Sequence, residues 1–134
     1  MITSKGFHER ALVGRFDCTL DESRRFLIPT EWLAMAGEGK SVYVMPDPTE
    51  RCLLLIFACS MELCMARIRE SAPQNASTYR ALRTIGKLTE LHVIDSEGGI
   101  RISDKLLDFA GITRRLMIVG GEWYARMWRE EESR

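Results

Sequence analysis

The chain has 134 residues, 46% of them hydrophobic and 28% charged, and its nineteen Lys and Arg balance nineteen Asp and Glu for a formal net charge of zero. This composition excludes a highly charged disordered chain, and the length suits one ordinary domain or two very small repeats that bury a core without disulfides. No apolar run approaches the roughly 18 residues of a membrane span, the opening MITSKGFHER lacks the apolar stretch of a signal peptide, and zero net charge excludes nucleic-acid binding by bulk attraction, leaving only a local basic patch or many copies acting together.

In chain order, Arg15 to Leu20 alternates apolar Phe16, Cys18 and Leu20 with polar neighbours, the pattern of a half-buried strand. Asp21 to Arg25 is a polar loop, and Phe26 to Ile28 a short strand. Pro29 is suited to opening a helix, because its missing N–H costs nothing there. Trp32, Leu33 and Ala36 then form one apolar face, and Gly37 or Gly39 offers a left-handed stop. Ser41 to Met45 and Arg51 to Phe57 read as strands. A helical pair follows. Ser60 to Arg69 carries Met61, Leu63, Met65 and Ile68; Pro73 and the polar run around it break the pattern; Ser77 then caps a helix through Gly86 with Tyr79, Leu82 and Ile85 apolar.

The first pattern then returns. Glu90 to Ile94 is a strand and Asp95 to Gly99 a loop. Ser103 is a helix N-cap, Leu106, Leu107 and Ala110 an apolar face, and Gly111 a stop. Leu116 to Val119 is a strand, Gly120-Gly121 a turn, and Trp123 to Trp128 a last strand before the solvated tail REEESR. Sliding the chain by 74 positions lays Thr19–Gly37 on Val93–Gly111, with Asp21 on Asp95, Ile28 on Ile102, Leu33 on Leu107 and Gly37 on Gly111. The expected organisation is a first repeat over residues 12–59, a helical pair over 60–87 and a second repeat over 88–130.

Chemistry-bearing motifs are few. Cys18, Cys52, Cys59 and Cys64 form no C-x-x-C pair and the only histidines are His8 and His92, so neither a metal site nor a cofactor is expected. Ala34 to Ser41, AMAGEGKS, mimics a phosphate-binding loop, but a helix precedes it and a strand follows, the reverse of what such a loop needs. With no catalytic constellation in sight, the expectation is a protein that is not an enzyme and has no small-molecule substrate. Asp21 and Asp95 are read as loop-starting residues that bond nearby backbone N–H groups. Arg80, Arg83 and Lys87 share one helical face, read chiefly as solvated. Trp123, Tyr124 and Trp128 are read as core or subunit interface rather than base-stacking groups.

Gly14 to Pro29, GRFDCTLDESRRFLIP, resembles the first repeat of the MraZ family, whose two tandem repeats belong to the AbrB-type swapped-hairpin superfamily. Gly14, Phe16, Thr19, Leu20, Asp21, Arg25, Ile28 and Pro29 fit its pattern, as do Asp95, Gly98 and Ile102 in the second repeat. The resemblance covers about residues 12–130. It departs at Arg24, where the family has Gly, at Gly99, where Arg is expected, and at Ser103, which replaces the second Pro. It implies an α+β fold in which two β-hairpin-helix repeats form a double-split β-barrel core with the helical pair between them. It further implies a cytoplasmic, nucleoid-associated transcription regulator that assembles with itself into a homo-oligomeric ring. Such a ring would bind short direct repeats in double-stranded promoter DNA upstream of the division and cell-wall gene cluster.

The family's DNA contacts are the basic residues of its D-x-x-x-R loops, which carries over to Arg24 and Arg25 as main contacts. Arg101, on the same strand face as Gly99 by alternation, is a candidate replacement contact, and Arg15 a weaker one. Two readings compete. One keeps the ring as a scaffold or protein-interaction component without DNA binding. The other is an antitoxin-like AbrB relative, which the intact double repeat disfavours.

Overall fold

The computed structural model describes residues 12–36, 40–47, 49–71, 75–121 and 123–130. Its elements are β1 (Arg15–Thr19), β2 (Arg25–Leu27), α1 (Thr30–Leu33), β3 (Ser41–Pro46), β4 (Leu53–Phe57), a 3-10 turn (Ala58–Ser60), α2 (Met61–Ser71), α3 (Ala76–Leu88), β5 (Glu90–Val93), β6 (Gly99–Arg101), α4 (Asp104–Ala110), β7 (Arg115–Val119) and β8 (Tyr124–Arg129). Most elements stand where the hydrophobic pattern puts them, with ends moved by one or two residues; α1 is the exception, ending at Leu33, three residues short of the expected Ala36. Pro29 is the N-cap of a four-residue helix rather than its first residue, and Ser77 lies inside α3, which starts at Ala76. The expected stop at Gly37 or Gly39, the break at Pro73 and the last four residues of the tail lie outside the described residues.

Two antiparallel sheets organise the chain. Six strands pair in the order β1-β7-β8-β4-β3-β5, and β2 pairs with β6 as a separate ribbon. Among the described residues the expected barrel is therefore not closed: β1 and β5 remain edges of the large sheet, because β2 and β6 pair with each other. The two halves of the chain interleave. β1 pairs with β7, β5 with β3, β2 with β6 and β4 with β8.

Burial follows from this arrangement. One cluster joins Phe26 and Ile100 of the ribbon, Trp32, Leu106 and Leu107 of the short helices, and Val42, Val44, Leu53, Leu55 and Phe57 of the sheet. On the sheet's other face, Met45, Leu54 and Ile56 pack with Ile85 of α3 and with Met61. β4 is thus covered on both faces, which is why its sequence LLLIF is continuously apolar instead of alternating. Trp32 anchors the N-terminal side of the core, donating from Nε1 to the Val13 carbonyl at 3.0 Å and meeting Phe16 edge-on at 5.2 Å. Ser103 caps α4, its hydroxyl accepting from the Leu106 N–H, and Gly111 ends that helix at φ 70°, both as the sequence predicts.

Candidate functional site

The loops Asp21–Arg25 and Asp95–Gly99 are built alike. In the first, Asp21 Oδ1 accepts from the backbone N–H groups of Ser23 at 2.8 Å and Arg25 at 3.0 Å. In the second, Asp95 Oδ1 accepts from Glu97 at 3.0 Å and Gly99 at 2.9 Å. Each aspartate organises its turn with one oxygen, the role expected from sequence. The surrounding backbone matches as well. Leu20 N–H donates to the Arg114 carbonyl and Ile94 N–H to that of Lys40; Ile28 donates to Gly98 and Ile102 to Arg24.

These bonds fix the carboxylates electrostatically. The Asp21 carboxyl is held below its ordinary range by the Arg25 N–H first and the Ser23 hydroxyl second. Asp95 is held well below it, chiefly by the Arg25 guanidinium and then by the Gly99 N–H.

Arg24 and Arg25 have different fates. Arg24 takes the left-handed conformation, φ 68°, that its counterpart Gly98 takes at φ 89°. Its side chain is 48% exposed, and Nε donates to Asp104 Oδ1 at 3.0 Å, at the start of α4. Arg25 is folded in, with its side chain only 25% exposed. Nε donates to Asp95 Oδ2 at 2.8 Å, and Nη2 to Asp95 Oδ1 at 3.1 Å and Glu97 Oε1 at 2.8 Å. These bonds raise the guanidinium further above its ordinary pKa, Asp95 contributing most.

Arg101 lies directly opposite Arg25 in the ribbon. It is exposed and, among the described residues, enters no ion pair. The structure thus gathers Arg24, Arg25 and Arg101 at one end of β2-β6. Arg15 stands apart: it is exposed at the far end of β1, opposite Val119, about four strand residues, or ~13 Å, from the residue that enters the loop.

Sequence reasoning missed Arg114. It is exposed at the turn before β7, and with Leu20, Asp21, Glu22, Ser23, Arg24 and Thr113 it lines an open groove of about 740 Å³. The 74-residue offset, carried to its end, lays Lys40 on Arg114. Both are basic residues whose carbonyl receives the N–H preceding the loop aspartate, so a signal was present.

Arg80, Arg83 and Lys87 are exposed on α3, as a solvated face requires. Trp123 is buried, while Tyr124 and Trp128 are half-buried. The segment that mimics a phosphate loop runs from Lys40 directly into strand β3. Among the described residues, no group of three or more His, Cys, Asp or Glu is placed to hold a metal, and no helix is long and apolar enough to cross a membrane. The arrangement can present guanidinium groups to an anion from a rigid turn; it offers no paired acid and base.

No family model matches the chain. The chain is similar over most of its length to curated proteins named transcriptional regulator MraZ. That of Marinobacter nauticus is 31% identical over 123 residues, 89% of this chain and 81% of the relative. That of Saccharophagus degradans is 31% identical over 122 residues, 88% of this chain and 82% of the relative. That of Kocuria rhizophila is 28% identical over 117 residues, 87% and 79% respectively.

Proposed function

The chain belongs to the MraZ family, and on that premise we propose that it is a DNA-binding transcriptional regulator that works as a homo-oligomeric ring on short direct repeats upstream of the division and cell-wall gene cluster. The observation that carries this reading is the placement of Arg24 and Arg101 at one end of the β2-β6 ribbon. Both side chains are exposed or half-exposed there. Guanidinium forks recognise phosphate oxygens and guanine edges. One such loop binds weakly. Several on a ring turn later contacts into intramolecular ones, raising avidity by about 10²–10⁴. This is how a chain of zero net charge can bind DNA, in a cytoplasmic, nucleoid-associated setting. Residues 12–59 and 88–130 act as the tandem units and 60–87 as their connection.

The test is fluorescence anisotropy against DNA from upstream of its own gene, at several salt concentrations, with scrambled DNA as control. Sequence-selective binding that weakens with salt, and weakens again in an Arg24→Ala/Arg101→Ala variant, is the expected result. Equal affinity for scrambled DNA, or full retention in the double variant, overturns it.

One observation favours a second reading. With Arg25 neutralised by Asp95 and Glu97, a ring that serves as a protein scaffold needs no free basic loop. Absence of DNA binding at low salt by a folded oligomer selects that reading.

A further inference from the structure

We propose that Gly99 and Glu97 set how tightly this protein grips a phosphate backbone, by letting the second loop hold Arg25 in an internal ion pair that DNA must displace. This rests on the DNA-binding reading above.

Gly99 is the pivot, and for reasons of space. Its φ lies outside the left-handed region that Gly14, Gly98, Gly111 and Gly121 occupy, so the backbone at 99 does not demand glycine. The volume above it does. A Cβ built at position 99 would stand 2.5 Å from Nε, Cζ and Nη2 of Arg25. Because Arg25 pairs with Arg101 and Leu27 with Gly99, positions 25 and 99 are diagonal neighbours on one face of the ribbon. The Arg25 side chain lies down across the place a side chain at 99 would fill.

What receives it is arranged like a phosphate. Asp95 takes Nε and Nη2 in a two-point fork and Glu97 takes Nη2 again, the geometry in which guanidinium meets phosphate oxygens. Asp95 does not have to be ordered for this task, since two backbone N–H groups already hold its Oδ1. Glu97 is the adjustable member: its side chain is 75% exposed, and its only described side-chain bond is to Arg25. The second loop therefore does more than lose a contact. It draws the first loop's Arg25 in to 25% exposure and sets two carboxylates around its guanidinium, where a phosphate would approach.

The experiment uses the full chain and two readouts. The first is the Arg25 Nε–Hε NMR signal of the free protein. The second is anisotropy against DNA from upstream of its own gene across a salt series. Gly99→Ala evicts the guanidinium with one methyl group and no change of charge; Gly99→Ala/Arg25→Ala is its control. We expect the Arg25 signal in Gly99→Ala to lose its protection from exchange. Affinity should rise roughly 3- to 10-fold, the net scale of one ordinary hydrogen bond, because releasing Arg25 also costs its pair with Asp95 and Glu97, and the slope of log K on log salt should steepen by about 0.9, one more phosphate neutralised. The control should lose both gains. Glu97→Gln leaves the packing untouched and should give a smaller gain that again requires Arg25, so a misfolded Gly99→Ala does not end the test. A released Arg25 with unchanged affinity and slope overturns the proposal while the DNA-binding reading stands. A released Arg25 with no DNA binding by any variant overturns both. An Arg25 signal equally exposed in the wild type removes the latch itself.

Discussion

Arg24 and Gly98 occupy the same turn position in two matching loops, and both are left-handed, at φ 68° and φ 89°. Gly98 is suited to it. Arg24 is an L-residue with a Cβ, for which this region is unfavourable by about 1–2 kcal/mol. The structure holds it there because the Arg24 N–H donates to the Asp21 carbonyl at 3.0 Å while its own carbonyl receives Ile102 N–H at 3.0 Å. Glycine makes both bonds without the strain. Only the guanidinium and its ion pair with Asp104 are then lost.

Arg24→Gly should therefore stabilise the fold by about 1 kcal/mol, the strain relief exceeding an exposed ion pair worth ~0–1 kcal/mol. It should weaken DNA binding at the same time. Urea denaturation checks the first effect. An unchanged or lower midpoint would mean that the Asp104 pair outweighs the strain.

Gly120 is needed for close approach. A Cβ there would lie 2.5 Å from the Leu12 carbonyl oxygen and 3.1 Å from the Trp32 ring. The clash is with backbone, which cannot swing aside as a side-chain tip can. Gly120→Ala should destabilise by about 1–3 kcal/mol, the usual range for overpacking, whereas Gly86→Ala, with open space around its Cβ position, should not. Equal melting temperatures for the two variants would contradict this.

The carboxyls of Asp21, Asp47 and Asp95 are all held low in the folded protein. Burial alone would raise Asp47, but the Thr49 N–H and hydroxyl, Arg126 and the Glu50 N–H together outweigh it. A depressed folded pKa contributes stability above the unfolded value, near 3.8, and loses it as pH falls through the folded one. Stability should thus be level from pH 5 to 7 and fall progressively below about pH 4. Chemical denaturation at stepped pH reads this directly. A midpoint that holds steady down to pH 2 would show that the carboxylates are not linked to folding.

The thiols should separate by reactivity. Cys52 is fully buried. Burial first, and the Asp47 charge beside it second, push its pKa up to about 12, so almost no thiolate exists at pH 8. Cys18 is half-buried and raised for similar reasons, burial ahead of Asp17. Cys59 is exposed. Among these three thiols, iodoacetamide at pH 8 with peptide mapping should mark Cys59 first and Cys52 last. Early labelling of Cys52 in the folded protein would show that its site opens.

The two halves should not fold apart. Among the described residues β1 pairs only with β7 and β5 only with β3, so residues 88–130 alone leave the β1, β2, β3 and β4 partners missing. Circular dichroism of that fragment should show a disordered chain. A cooperative melt at low concentration would refute the dependence.

Much of this fold was legible in the sequence. Alternation marked β1, and the spacing of Leu106, Leu107 and Ala110 with Ser103 and Gly111 marked α4 from cap to stop. The continuous LLLIF marked a strand but not what covers its second face, since Ile85 comes from a helix about 30 residues further along the chain and Met61 from the turn of helix that follows the strand. The barrel expectation failed for a related reason: pairing between β2 and β6 is a long-range choice that no local pattern encodes. At the site, period-two alternation placed Arg101 on the outer face beside Gly99. The fate of Arg25 was hidden. The adjacent Arg24 and Arg25 read alike in sequence, but Arg24 reaches Asp104 from a left-handed backbone while Arg25 folds into the space that a side chain at Gly99 would take.

The interleaving of strands has a consequence for how this molecule assembles. Two separate hairpin-helix units that paired this way would form a dimer, and their stability would fall on dilution. Here α2 and α3 tether the two partners, so the encounter becomes intramolecular, at an effective concentration set by the tether. The unfolding midpoint of the core is then independent of protein concentration. Any dependence that is measured reports contacts between whole chains, which makes a simple dilution series a gauge of higher assembly that the core itself cannot confound.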